Sequence, residues 1–337
     1  QPMISNSKRY DLVFNGEIYN FLKIKEKLIS KGYSFKSSSD TEVLLALFDI
    51  YGVEPALNYL DGMFAFAVWD NIDNNLIIAR DRIGEKPIYY YLKDNILVFA
   101  SELKAIEKHP SFKKEIDLFS LEQYVKYSYV PSPYCIYKFT KKLNPAEIIK
   151  FEIKKNTILK NSQQWWNYSK NYQTQKNVIH NFDDNLHINE CEKILANVVK
   201  KQMISDAPIG SFLSGGIDSS LITLLMQNNS NKKIKTFTIG YDNHRYNESV
   251  DARKIADYLG TDHHEMIVTH SHTMDTILKI PSIYDEPFAD HSQIPSIILS
   301  EYTSQYVKVA LSGDGGDEVC GGYNRYHWAP KMSKLNN

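Results

Sequence analysis

The sequence predicts a chain in two parts: an α+β sandwich of sheets covered by helices, then an α/β domain on an open, mostly parallel sheet. Three observations carry this. Residues 63–69, 76–79, 88–92 and 96–99 are nearly unbroken apolar and aromatic runs, so both faces of their sheet must be covered, as in a two-layer or four-layer sandwich with helices. Beyond residue 185 helical and strand patterns alternate, as they do in parallel sheets with crossover helices. Between the two, residues 161–185 are rich in Asn, Gln, Lys, Tyr and Trp and poor in aliphatics. The expected domains are therefore 1–162 and 186–337, with a linker at 163–185.

Residues 11–14 read as a short strand ending in Asn15-Gly16. A helix follows over 21–30, with Phe21, Ile24, Leu28 and Ile29 on a core face, Lys23, Lys25 and Lys27 toward water, and Gly32 as its terminator. Residues 33–35 read as a strand, and Ser39-Asp40 as the cap of a helix over 41–51 with Glu42 favourably near its start. Asp73-Asn74-Asn75 and Lys93-Asp94-Asn95 are turns between paired strands. Short helices at 102–107 and 118–127 precede a hairpin of 146–153 and 157–160. Trp165 and Trp166 suit a domain interface, with ligand stacking as the other reading. The second domain reads as helix 186–203, strand to 213, helix 219–226, strand 236–239, helix 249–259 and strand 263–268. Helices 271–279 and 294–303 and strand 307–311 complete it, and its glycine-rich loops fall at strand C-terminal ends, where such sheets bind ligands.

At 337 residues, 43% apolar and 23% charged, the chain is ordinary for a globular protein. A net charge of -1 provides no field for nucleic acid or an anionic membrane. Cys135, Cys191 and Cys320 have neither disulfide nor zinc spacing, and His263-His264 lacks a zinc partner pattern. No run approaches a membrane span and no signal peptide is visible, so a cytoplasmic protein is expected; a homodimer is one assembly the reading allows.

Leu213-Ser214-Gly215-Gly216-Ile217-Asp218-Ser219-Ser220 links a strand to a helix through a tight turn. Glycines let backbone N–H groups approach phosphate oxygens, and the helix adds its positive end. Asp218 would repel a bare phosphate, which points to Mg²⁺ between them. The Gly-Lys-Ser/Thr ending of a Walker A loop is missing, as is the third glycine of a dinucleotide fingerprint. Ser312-Gly313-Asp314-Gly315-Gly316-Asp317-Glu318 repeats the logic of glycines and acids after a strand, implying Mg²⁺ or a cationic substrate group. In the first domain, Asn15 and Gly16 suit either a turn or an oxyanion hole, and Asp40 either a helix cap or a ligand carboxylate.

Ser214-Gly215-Gly216-Ile217-Asp218-Ser219 resembles the pyrophosphate loop of the N-type ATP pyrophosphatases. Asn15-Gly16-Glu17-Ile18-Tyr19-Asn20, Asp40-Thr41-Glu42, Ala79-Arg80-Asp81-Arg82-Ile83-Gly84 and the 312–318 motif extend the likeness. In family order, over nearly the whole chain, the sequence is similar to the glutamine-hydrolysing asparagine synthetases. The resemblance implies an Ntn-type four-layer sandwich, truncated at its start, and an adenine nucleotide alpha hydrolase-like domain. It implies glutamine contacts by Asn15, Gly16, Glu17 and Asp40, with Asn15 and Gly16 as oxyanion donors and Asp40 facing the α-ammonium. ATP would be bound by Leu213, Ser214, Gly215, Gly216, Asp218, Ser219, Ser220, Ile239, Ser312 and Gly313, with Asp218 and Asp317 toward Mg²⁺. Asp314 stands where the family usually has Glu and would handle the proton of incoming ammonia. Arg80 and Arg82 read as glutamine or interface residues, or as ion-pair partners of Asp81 and Glu85.

The activity implied is conversion of ATP, L-aspartate, L-glutamine and water to AMP, diphosphate, L-asparagine and L-glutamate through β-aspartyl-AMP. One alternative keeps both half-reactions but amidates a sugar uronate or another carboxylate in surface-polysaccharide synthesis; a third reading is a non-catalytic nucleotide-binding protein. Residues 285–295, with His291 in a place usually held by Ser, resemble an acceptor-side loop. The resemblance further implies that this sequence starts after the family's N-terminal cysteine nucleophile and stops before a helical part bearing an active-site lysine, so that the stretch itself lacks glutaminase activity.

Overall fold

The structure, a computed structural model, describes residues 1–155, 157–175, 184–241 and 247–335. It divides into two compact units, Gln1–Phe182 with Pro281–Asp290, and Asp183–Ile280 with His291–Asn337.

Unit 1 opens with β1 (Met3–Ile4), β2 (Tyr10–Ile18), α1 (Phe21–Ile29), α2 (Asp40–Tyr51) and a single turn, α3 (Val53–Ala56). It continues through β3 (Gly62–Asp70), β4 (Asn75–Arg80), β5 (Tyr89–Lys93), β6 (Ile96–Ala100), α4 (Leu103–Glu107) and α5 (Leu118–Tyr127). β7 (Thr140–Lys142), β8 (Glu147–Lys154), β9 (Thr157–Gln164) and α6 (Tyr168–Gln175) follow. A six-stranded sheet runs β1-β2-β3-β4-β8-β9 and a three-stranded one β6-β5-β7. Every pairing in them is antiparallel. The β5–β6 hairpin turns on Asp94 and Asn95, both at positive φ, the conformation a two-residue hairpin loop demands.

Period-two alternation in β3 divides the core. Phe64, Phe66 and Val68 pack against Leu28 of α1 and Leu44, Leu47 and Phe48 of α2. Ala65 and Ala67, on the other face, meet Ile88, Tyr90 and Leu143 of the smaller sheet's side. Small residues there admit the second sheet. Tyr91, opposite Tyr90 on β5, packs with Leu103 and Ile106 of α4.

Two expectations are corrected. Asn15-Gly16 is not the turn after a strand: β2 runs on to Ile18, paired with β3 throughout. Residues 33–35 form no strand: the Tyr33 N–H closes the end of α1 by donating to Leu28 O at 3.0 Å, and the N–H groups of Lys36 and Ser37 that follow donate to the Glu42 carboxylate at 2.8 and 2.7 Å. Their alternation reflects Tyr33 and Phe35 packing on each other, ring centroids 5.1 Å apart. The last strand also extends to Gln164, past the expected start of the linker composition.

Unit 2 contains α7 (Asp184–Gln202), β10 (Ile209–Phe212), α8 (Ile217–Asn228), β11 (Lys235–Tyr241), α9 (Ser249–Leu259) and β12 (Asp262–Val268). It continues with α10 (His270–Ile283), whose last turn falls in the 281–290 segment, α11 (Gln293–Thr303), β13 (Val309–Leu311), α12 (Gly316–Cys320) and α13 (Asn324–Leu335). Its sheet has the order β12-β11-β10-β13 and is wholly parallel. The chain moves outward from β10 through β11 to β12, then returns to the other side of β10 as β13. That reversal makes the C-terminal ends of β10 and β13 a topological switch point, where loops diverge and leave a crevice.

Candidate active site

In unit 1 the residues expected to meet glutamine gather at the end of β2. Asp40, the first residue of α2, accepts the Ile18 N–H through Oδ2 at 3.0 Å, which fixes it beside that strand. Capping falls to Ser39, whose hydroxyl accepts from the Thr41 N–H. Asp40 is therefore not the helix cap. Asn15 is exposed, its amide donating to Ser101 Oγ at 3.2 Å. Phe64 N–H and C=O are engaged by Asp81 on the β4 side, so the facing Gly16 turns its own N–H and C=O away from β3. That amide is directed to the side where the side chain of Gln1, bonded to Phe14 N–H and C=O at 2.9 and 2.8 Å, ends the edge pairing. A Cβ at Gly16 would lie 2.7 Å from Phe64 Cα, so only glycine permits this approach.

The surroundings are acidic. Burial first, then Glu85 and Glu17, push the Tyr19 hydroxyl above its usual range; burial and Asp81 raise Glu85. Such a field suits a ligand ammonium group. Tyr19 lies in the 15–20 motif and Glu85 reads only as an ion-pair partner of the arginines, while Ser101 carries no signal in the sequence.

Arg80 and Arg82 pair with neither Asp81 nor Glu85 through hydrogen bonds. Arg80 donates to the carbonyls of Lys86, Gly84 and Leu143, and Arg82 to that of Leu60. Asp81 instead gathers the N–H groups of residues 83–86, a role missed in the sequence. Trp165 is a structural side chain of unit 1, stacked on Phe64 and donating to Arg80 O at 3.0 Å. Cys135 is buried, and burial pushes its thiol far up; it is no nucleophile.

In unit 2 the loop after β10 is shaped by its own hydroxyls. Ser219 Oγ lies 3.0 Å from Ser214 Oγ and accepts the Ser214 N–H, while Ser220 Oγ donates to Gly216 O at 2.6 Å. Gly215 takes φ +86°, and a Cβ there would come within 2.9 Å of Ala252 N at the start of α9. Leu213 is buried against Ala252 and Ala256 with its N–H given to Phe237 O, and Ile239 is half-buried on β11. Leu213 is a core position first.

The loop after β13 closes on the first one. A Cβ at Gly313 would meet Ser219 N at 2.7 Å, and one at Gly316 would meet Asp218 Cγ at 2.6 Å. The glycines thus leave the space that the Asp218 side chain fills. Ser312 Oγ donates to Asp314 Oδ2 at 3.0 Å, holding the exposed Asp314 carboxylate over its own loop. Asp317 follows Gly316 in the first turn of the short helix α12. Among the described residues no three His, Cys, Asp or Glu side chains form a cation site. Asp218 and Asp317 are carboxylates, the donor type Mg²⁺ takes alongside the phosphate oxygens of a nucleotide. His263 Nδ1 lies 2.9 Å from Thr236 Oγ1, His264 stacks on Phe237, and His291 is exposed. Among the described residues no helix is long and apolar enough to cross a membrane.

Comparison with known proteins places two family models on the chain: "Glutamine amidotransferase domain" on residues 1–166 and "Asparagine synthase" on residues 190–337. A protein of Methanocaldococcus jannaschii is 38% identical over 318 residues, 93% of this chain and 58% of that one. Asparagine synthetase [glutamine-hydrolyzing] 1 of Bacillus subtilis is 36% identical over 326 residues, 97% of this chain and 50% of the relative. The chain thus spans about half the length of the curated relatives it matches. A solved glutamine phosphoribosylpyrophosphate amidotransferase from B. subtilis is a remote likeness, 18% identical at a TM-score of 0.36, covering 79% of this chain and 48% of that one.

Proposed function

Because the chain belongs to the family that joins a class II glutamine amidotransferase domain to an asparagine-synthetase-like ATP pyrophosphatase domain, we propose that its protein makes asparagine from aspartate with glutamine as the nitrogen donor. The packing of helices on the six-stranded sheet, of that sheet on the smaller one, and of helices beyond it supports a four-layer sandwich for the first domain.

One observation carries the reading: Asp218, at the start of α8, sits against Gly313 and Gly316 of a second loop, at the switch point of a parallel sheet. Pyrophosphate leaving from ATP would lie over the N-terminus of α8, where N–H groups and the helix dipole favour negative charge. The β-carboxylate of aspartate attacks the α-phosphorus; the new acyl–O–P bond forms as the bond from α-phosphorus to the bridging oxygen breaks. Ammonia then attacks the acyl carbon, AMP departs, and Asp314 accepts the proton that nitrogen loses. Asp218 and Asp317 are the residues that would hold Mg²⁺, which supplies neutralisation of the departing pyrophosphate when bound. In unit 1, Asn15 and Gly16 would donate to the oxyanion of glutamine, and Asp40 would pair with its ammonium group.

Asp218→Ala tests the reading in the full-length protein. Pyrophosphate release should fall about 10²–10³-fold in kcat/KM, the range for removing one preorganised electrostatic group. An unchanged rate in a folded variant would remove Asp218 from the chemistry.

A further inference from the structure

Residues Pro281–Asp290 form part of unit 1, although the chain on both sides of them belongs to unit 2. Their attachment is built from two consecutive acids. Glu286 pairs with Lys142 Nζ at 2.5 Å, with both side chains at most 16% exposed. Tyr89 OH donates at 3.3 Å to the same oxygen, Oε2, and the other, Oε1, accepts the Ile136 N–H at 2.7 Å. Asp285 accepts the Leu103 N–H at 2.6 Å, while Lys104 Nζ reaches the carbonyls of Ser282 and Ile283 at 3.3 and 3.2 Å.

This is more than a loop needs to stay in place. A buried ion pair gains little over an apolar contact, but it penalises every state in which only one partner is left behind, and so it favours a single docked position. The 285–295 stretch resembles an acceptor-side loop, yet its first two acids are committed inside unit 1. The chain directly after them enters 291–295 and α11, the acceptor-side stretch of the proposed reaction.

We propose that Glu286, seated on Lys142, is a positioning residue that couples the two half-reactions: while it is docked, ammonia from glutamine is consumed in amide synthesis and not lost. The proposal rests on the glutamine-dependent ligase reading. Under it, a segment covalently continuous with the acceptor side is pinned into the unit that hydrolyses glutamine. Releasing the pin lets each unit work alone.

The test uses the full-length protein and its Lys142→Met, Lys142→Arg and Tyr89→Phe variants, with glutamate, AMP and pyrophosphate measured together. For Lys142→Met, glutamate released per AMP should rise about threefold or more, while glutaminase rate and ammonium-driven AMP formation each stay within about twofold. Lys142→Arg, which keeps the charge, should restore most of the coupling, and Tyr89→Phe should shift the ratio in the same direction by less. A ratio unchanged in folded Lys142→Met would overturn the proposal, as would equal loss of both half-reactions, which marks a merely structural pair. Should Lys142→Met fail to fold, Tyr89→Phe decides by the same ratio. If the wild-type protein makes no AMP with ammonium, the ligase reading has failed by itself. The docking claim is then judged by limited proteolysis, where faster cleavage within 281–290 in the variants supports it and unaltered cleavage overturns it.

Discussion

Asp218 occupies the volume beside Gly316: a Cβ built on that glycine would stand 2.6 Å from the aspartate Cγ. Two residues almost a hundred positions apart are thereby made interdependent, because β13 returns to pair with β10. The relationship turns a glycine into a determinant of where a carboxylate points.

Gly316→Ala should therefore act through Asp218. The obstructing atoms belong to a short side chain in the first turn of α8, which can rotate away at small cost to the fold. Pyrophosphate release should fall about tenfold or more with little change in Tm. Gly313→Ala meets the backbone nitrogen of Ser219 at 2.7 Å and should lower both activity and stability. Thermal melts beside initial rates separate the two outcomes, and a Gly316→Ala enzyme of full activity would count against the placement of Asp218.

Gly16→Ala should damage unit 1 itself. Phe64 Cα would lie 2.7 Å from the new methyl group, and both strands are held by neighbours in the sheet, so β2 and β3 must separate. The expected cost is about 1–3 kcal/mol, measured by denaturant unfolding. Stability equal to wild type would show that the strands have room.

Glu42 gives unit 1 an acid limit. Burial alone would raise its carboxyl, but the Ser37 hydroxyl and the N–H groups of Lys36 and Ser37 overcome it and hold the pKa below the ordinary 4.5. A depressed folded-state pKa contributes stability above the unfolded value, and that contribution disappears as pH falls through the folded value. Glu42→Gln should cost about 1–3 kcal/mol at pH 7, with the deficit shrinking steadily below about pH 4.5. Unfolding curves at several pH values check this; a deficit that grows on acidification would contradict it.

Much of this architecture is legible in local pattern. The β5–β6 hairpin follows from Asp94-Asn95 between aromatic runs, and the parallel sheet from alternating helices and strands. What escaped depends on partners distant in sequence. Asn15-Gly16 looks like a turn because the dipeptide favours one, yet its glycine is required by the approach of β3. The alternation at Tyr33 and Phe35 mimics a strand until Glu42 claims the backbone donors that follow. The glycines and acids of 312–318 stand out in the sequence as a loop for Mg²⁺ or a cationic group, but the fit of Gly313 and Gly316 around Asp218 needs the strand order. The place of Glu286 in a stretch that resembles an acceptor-side loop says nothing of its lysine, which lies on β7, far back in the chain.

The products of ATP turnover test the central claim most directly. Under the proposed reading, attack of a carboxylate at the α-phosphorus would leave pyrophosphate in the 214–220 loop and release AMP, whereas attack at the γ-phosphorus would release ADP. Full-length protein given Mg²⁺, ATP, ammonium and L-aspartate should form AMP, pyrophosphate and asparagine in equal amounts, resolved by chromatography. ADP in place of AMP would contradict the pyrophosphatase assignment, and AMP formed with a nucleotide-linked uronic acid but not with aspartate would contradict the assignment of the acceptor.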